Sequence, residues 1–143
     1  MIRCSKCWIV WNKIGNNENK SVFAGCELAW TSFKTAVRMF TWRWNGMLQQ
    51  NMKNKERRIH PTQKPVALYA WLLKNYAKKG DKILDTHLGS GSSRIASYKL
   101  GFDFVGCELD KHYFNSQEIR FKKECLNTQI FSDGRELVQT SLF

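Results

Sequence analysis

The stretch Lys82-Ile83-Leu84-Asp85-Thr86-His87-Leu88-Gly89-Ser90-Gly91-Ser92-Ser93 constrains the fold more than any other part of the chain. Ile83 and Leu84 form an apolar run with strand preference, while Gly89 and Gly91 let the backbone turn tightly and come close to a ligand. Ser92 and Ser93 suit the first turn of a helix. The pattern predicts a short buried strand, an acidic end, a glycine loop and a helix. That layout serves a nucleotide-type pocket and also an ordinary strand-to-helix turn.

Asp85 bears on which ligand such a pocket would take. A carboxylate at this turn disfavours a pyrophosphate and favours a ligand that brings positive charge or hydrogen-bond donors, such as the amino and sulfonium groups of S-adenosylmethionine. Residues 94–100 continue the helix, and Gly101 is placed to stop it in the left-handed conformation. Residues 102–109 read as the next strand and lead into Glu108 and Asp110. Glu108, 23 residues after Asp85, stands where the end of the second parallel strand of a β-α-β unit presents a carboxylate to ribose hydroxyls.

On either side of this unit lie two further helices. Pro65 suits the first helical position, Val66, Tyr69, Leu72, Leu73 and Tyr76 fall near one face at helical spacing, and Gly80 ends the segment. Residues 111–124 form the other, with Tyr113, Phe114, Ile119 and Phe121 partly on one side. Upstream, residues 7–11 read as a buried strand followed by a polar loop over residues 12–20. Residues 23–30 and 36–44 carry the aromatics of a sheet, although Val37, Phe40 and Trp44 also fit a helix. Residues 45–54 have no apolar periodicity and are expected to be a mobile loop.

Charge narrows the partners. Against 12 Asp and Glu stand 23 Lys and Arg, a formal charge of +11 that favours nucleic acid or another polyanion. Between Arg38 and Lys64 the bases Arg38, Arg43, Lys53, Lys55, Arg57, Arg58 and Lys64 face the single acid Glu56, with Phe40, Trp42 and Trp44 beside the first of them. Cations supply affinity for phosphates and aromatic faces stack on exposed bases, so these residues are candidates for DNA contact; a solvated loop is the alternative. With 143 residues, one domain is expected: residues 1–124, containing the basic segment 38–60, followed by a tail at 125–143.

The five cysteines, Cys4, Cys7, Cys26, Cys107 and Cys125, show no disulfide framework and follow no export signal, so reduced thiols and a cytoplasmic location are expected. Cys4 and Cys7 are spaced like half a zinc site, but no second pair completes it and no metal is expected. No apolar run approaches the roughly 18 residues of a spanning helix, and no membrane partner is expected.

The blocks His60-Pro61-Thr62-Gln63-Lys64-Pro65, Gly80-Asp81-Lys82-Ile83-Leu84-Asp85, Leu88-Gly89-Ser90-Gly91 and Val105-Gly106-Cys107-Glu108-Leu109-Asp110 resemble, in this order, the amino-group (N6-adenine or N4-cytosine) DNA methyltransferases of the β-type motif arrangement. The resemblance covers residues 7–121 and reaches only the C-terminal half of the family's pattern. It implies an α/β, Rossmann-like S-adenosylmethionine-dependent methyltransferase sheet, and methyl transfer to the exocyclic amine of a flipped-out base, adenine N6 in preference to cytosine N4. It also implies roles: Asp85 and the backbone of Leu88, Gly89, Ser90 and Gly91 hold the methionine part of the cofactor, Glu108 the ribose, and Thr62 and Lys64 the methionine carboxylate region. Residues 7–11 resemble a later sheet strand and residues 23–33 the strand near the target-base pocket. Thr86-His87 departs from the family's Pro-Phe, and His87 is assigned to packing.

The family's catalytic motif, two prolines followed by an aromatic, is absent, because Pro61 and Pro65 are the chain's two prolines and neither stands in such a motif. In the family fold that part also supplies a strand beside the one ending at Asp85. The expectation is therefore an incomplete sheet and a truncated or split enzyme, inactive alone, whose partners are double-stranded DNA and a complementing N-terminal half. The alternative is an inactive module that binds cofactor or DNA. A dinucleotide dehydrogenase would need a fuller glycine fingerprint than Gly89-Ser90-Gly91. Gln139-Thr140-Ser141-Leu142-Phe143 resembles the peptide that docks bacterial DNA enzymes on the sliding clamp, with an untethered tail the weightier reading.

Overall fold

The computed structural model describes residues 6–15, 24–126, 128–130 and 136–138; Cys4, Phe23 and the segment 139–143 lie outside these. The chain divides into two compact units, Met1–Glu56 and Arg57–Phe143.

In the first unit β1 (Trp8–Asn12) is the central strand of a three-stranded sheet, antiparallel to β2 (Cys26–Trp30) and parallel to β3 (Arg38–Thr41). Alternation along β1 buries Ile9 and Trp11 and leaves Trp8 exposed. The Trp11 indole Nε1 donates to the Trp42 carbonyl at 3.0 Å, which satisfies the one polar atom of a buried ring. Asn12 ends the strand by accepting at Oδ1 from the amides of Ile14 and Gly15, both at 3.1 Å. Within the ambiguous run at residues 36–44, residues 38–41 form a strand: the alignment of Met39 with Val10 and Phe40 with Trp11 supplies sheet partners that outweigh the helical spacing.

The loop expected at residues 45–54 is instead partly ordered. Here β4 (Trp44–Asn45) and β5 (Leu48–Gln49) form a small antiparallel hairpin turned at Gly46, whose φ is 53°. Asn-Gly is a hairpin signal that an apolar-periodicity test does not register. The buried Gln49 side chain then exchanges two 2.8 Å hydrogen bonds with the Glu56 backbone and pins the following segment.

The second unit is α/β. Its elements are α1 (Val66–Tyr76), β6 (Lys82–Asp85), α2 (Ser92–Lys99), β7 (Asp103–Gly106) and α3 (Lys111–Cys125), followed by the short antiparallel pair β8 (Thr128–Ile130) and β9 (Glu136–Val138). β6 and β7 are parallel, with Asp85 opposite Gly106, so β6-α2-β7 is the expected β-α-β unit. Among the described residues β6 pairs with β7 alone. Gly101, at φ 74°, follows the α2 cap Leu100 as expected.

Several local expectations are corrected. Pro65 caps α1 at ψ 146° instead of occupying its first turn, and α1 ends at Tyr76, leaving Gly80, at φ 90°, in the turn into β6. The β6 strand is half-buried, not buried: Ile83 is partly covered, whereas Leu84 and its ladder neighbour Val105 are 65% and 60% exposed. A run apolar on both faces is buried on both only in a sheet layered on either side. On α3 the buried face carries Gln117, Arg120 and Phe121, while Phe114 and Ile119 are exposed.

Cys26, Cys107 and Cys125 are free thiols. Among the described residues no helix is long and apolar enough to cross a membrane.

Candidate functional site

The site grows from the end of β6. Asp85 brackets the loop that follows, its Oδ1 accepting from the His87 amide at 3.0 Å and its Oδ2 from the Ser93 hydroxyl at 2.5 Å. The strand end and the first turn of α2 are thus joined by one carboxylate. Two backbone bonds extend the ladder past the strands: Cys107 N–H donates to the Asp85 carbonyl at 2.8 Å and Leu88 N–H to the Cys107 carbonyl at 2.9 Å. Leu88 is buried against Gly106, where a Cβ would stand 3.0–3.1 Å from the Leu88 methyls and 2.8 Å from the Phe104 ring. A side chain at 106 would therefore force Phe104 or Leu88 to shift.

Within the loop Gly89 and Gly91 have φ of 52° and 73°, a region costly for side-chain-bearing residues. Gly91 N–H donates to the Leu88 carbonyl at 2.9 Å, and the Gly91 carbonyl accepts from Ile95 at 3.0 Å to start α2.

Glu108 closes the loop from the β7 side. Its Oε1 accepts from the Asp110 amide at 3.0 Å and its Oε2 from the Gly89 amide at 2.7 Å. These amides, Asp110 first and then Gly89, stabilise the ionised form and hold the carboxyl below its ordinary value of 4.5. Asp110 caps α3 by accepting at Oδ1 from His112 at 2.7 Å and Tyr113 at 3.1 Å.

The segment before α1 covers the loop. A Cβ on Gly89 would stand 3.5 Å from the His60 ring, and that ring meets Tyr113 edge-on with centroids 4.3 Å apart. His60 Nδ1 also accepts from the Thr62 amide at 3.3 Å and lies 3.1 Å from the Thr62 hydroxyl. Gln63 is buried and fixes the approach to His60, accepting from Ile59 N–H at 2.9 Å and donating to the Arg57 carbonyl at 3.2 Å.

One cavity of about 300 Å³ results, lined by His60, Thr62, Gln63, Lys64, Tyr69, Asp85, His87, Leu88, Gly89 and Ser90. Six residues singled out in the sequence line it together: Thr62, Lys64, Asp85, Leu88, Gly89 and Ser90. Glu108 reaches it through Gly89, and Gly91 is buried behind the lining. A second cavity, of about 320 Å³, shares Tyr69 and Asp85 but is walled largely by Leu72, Leu73, Ile83 and Leu84.

His87 is exposed and lines the first cavity, which corrects its assignment to packing. His60 and Tyr69 also belong to the lining without having been singled out. His60 opens a motif already noted, and that position was its only signal. Of the basic candidates, Arg38, Lys53 and Lys55 are exposed and Arg43 half-buried in the first unit, and Arg57 and Arg58 are exposed in the second.

A strand-end carboxylate, a glycine loop opening a helix, a second acid after the next strand and a polar cavity thus meet at one junction. Residues 15–119 match the N6/N4 DNA methylase family model, and the chain belongs to that family. The Type II methyltransferase M2.DpnII of Streptococcus pneumoniae is 35% identical over 81 residues, 57% of this chain and 30% of that protein. M.HpaI of Haemophilus parainfluenzae is 35% identical over 71 residues, 50% of this chain and 23% of that protein. The chain thus spans less than a third of the length of these curated relatives. Among solved structures, the M1.HpyAVI-SAM complex superimposes with a TM-score of 0.54 at 28% identity, covering 79% of this chain and 60% of that one. TTHA0409 of Thermus thermophilus, complexed with S-adenosyl-L-methionine, gives 0.53 at 18% identity over 82% of this chain and 52% of that one, a likeness of fold alone.

Proposed function

We propose that the chain is the cofactor-binding part of an S-adenosylmethionine-dependent DNA methyltransferase acting on an exocyclic base amine, adenine N6 ahead of cytosine N4. The observation that carries this reading is the gathering of Lys64, Thr62, Asp85 and the glycine loop around one cavity. A cation and a carboxylate in the same small cavity suit the zwitterionic amino-acid end of the cofactor, whose sulfonium methyl is the group transferred. Lys64 and Thr62 serve its carboxylate, while Asp85 and the backbone of Leu88, Gly89, Ser90 and Gly91 serve the rest of its methionine part. Glu108 spends one lone pair of each oxygen on a backbone amide, and the others remain to accept from ribose hydroxyls.

Arg38, Arg43, Lys53, Lys55, Arg57 and Arg58 are proposed to bind DNA phosphates, and the base must leave the duplex to present its amine. The setting is proposed to be cytoplasmic, in keeping with the free thiols of Cys26, Cys107 and Cys125. Because neither proline stands in a Pro-Pro-aromatic motif, residues 1–143 are proposed to bind cofactor without transferring methyl groups alone. A complementing half would supply that motif and a strand beside β6. The same absence favours a second reading, a cofactor- and DNA-binding module without catalysis. Clamp docking through residues 139–143 is a separate proposal; fluorescence anisotropy of that peptide with purified clamp tests it, and absence of saturable binding ends it.

Isothermal titration with S-adenosylmethionine tests the central reading. Saturable one-to-one binding is expected, and no heat of binding by a folded chain overturns it. Tritiated methyl transfer to unmethylated DNA by this chain alone tests the inactivity, which any activity above background refutes.

A further inference from the structure

Arg120 lies on α3, 30 residues beyond Ser90, and is only 6% exposed. A guanidinium in such a place is costly unless its donors are used. Here Nη1 donates to the Ser90 carbonyl at 3.0 Å and to the Ser92 hydroxyl at 2.9 Å, while Nε donates to Glu124 Oε1 at 2.8 Å. The Ser90 carbonyl is thereby held toward α3, which fixes the peptide plane it shares with Gly91. Beside it Gln117, fully buried, fills the space against Gly91 so closely that a Cβ there would be 3.0–3.1 Å from it. Gln117 is itself held by Arg94 Nη1 at 3.0 Å, whose guanidinium lies 3.9 Å over the Phe121 ring.

Two consecutive lining residues are therefore gripped from different elements: Gly89 by Glu108 after β7, and Ser90 by Arg120 on α3. Arg120 does not line the cavity. We infer that Arg120 is a positioning residue for the cofactor, acting through Ser90 by fixing the direction in which the glycine loop presents its backbone to the ligand. This rests on the proposed methyl-donor site. An arginine suits the task because one rigid fork reaches a carbonyl, a hydroxyl and a carboxylate at once, which an ammonium does not do in the same geometry. A buried charge in this position adds specificity of loop conformation more than stability.

The test compares two ligands on the whole chain by isothermal titration: S-adenosylmethionine, and 5′-methylthioadenosine, which keeps adenosine and sulfur but lacks the amino-acid end. Displacing the loop by a fraction of an ångström should cost Arg120→Ala roughly tenfold or more in affinity for S-adenosylmethionine. Affinity for methylthioadenosine, which depends on Glu108 and not on Ser90, should stay near the wild-type value, and Arg120→Lys should recover part of the loss. Equal losses for both ligands, or wild-type affinity for S-adenosylmethionine in Arg120→Ala, overturn the positioning role. If Arg120→Ala does not fold by circular dichroism, Arg120→Lys decides: a loss confined to S-adenosylmethionine supports the role and wild-type affinity overturns it. A folded wild-type chain that binds neither ligand overturns the methyl-donor reading, and the positioning role with it.

Discussion

Glu108 Oε2 accepts the Gly89 amide at 2.7 Å, so the acid after β7 is bonded to the glycine loop after β6. The bond spans 19 residues and ties the two strand ends of the β-α-β unit. Because the Glu108 carboxyl sits below its ordinary 4.5 in the folded chain, it contributes stability that is present above 4.5 and lost as pH falls through the lower folded value. Thermal unfolding followed by circular dichroism across that acid range should show the Tm gap between wild type and Glu108→Gln narrowing as pH falls. A gap that stays constant into the acid range would sink the assignment.

Asp85→Asn keeps an acceptor for His87 or Ser93 but removes the charge. Loss of one charge-assisted hydrogen bond, about 1.5–3 kcal/mol, corresponds to a weakening of S-adenosylmethionine binding by roughly tenfold to a hundredfold. Calorimetric titration measures it, and an unchanged dissociation constant would remove Asp85 from the site.

Gly91→Ala meets two obstacles, a φ of 73° and a Gln117 side chain 3.0–3.1 Å from the new Cβ. The left-handed backbone alone costs about 1–2 kcal/mol, and crowding adds to it. Urea denaturation should give a ΔΔG of about 2 kcal/mol or more. Gly46→Ala, which has a φ of 53° but nothing within 4 Å of the Cβ, is the control that carries backbone strain without crowding and should lose less.

Lys53 and Lys55 are exposed in the first unit, and neither lines the cavity. If they neutralise phosphates, replacing both by alanine should weaken binding to duplex DNA uniformly across sequences. The slope of log affinity against log salt should fall by about 2, with S-adenosylmethionine affinity unchanged. Filter binding at several salt concentrations checks this, and an unaltered slope excludes both residues from the interface.

Much of the site is legible in the amino-acid sequence, because short-range chemistry announces itself. An acid at a strand end, glycines at 89 and 91 and an acid after the next strand each have local reasons to be where they are. What the sequence hides is held by tertiary contact. Gln117 and Arg120 are polar residues of α3, yet they are buried, Arg120 with the Ser90 carbonyl and the Ser92 hydroxyl as partners and Gln117 with the Arg94 guanidinium. Phe114 and Ile119, the apolar residues that periodicity favours, are exposed. The Gly46 hairpin escapes for the opposite reason: its signal is two residues long, and a search for periodicity averages it away.

Leu84 and Val105 stand side by side on the ladder and face solvent in the folded chain. A hydrophobic dye that lights up on apolar surface is therefore expected to fluoresce with the native protein, a signal ordinarily taken to mark a loosened state. Dye-based melting curves on this chain are expected to begin from a raised baseline, and circular dichroism of the peptide chromophore is the better readout of its transition.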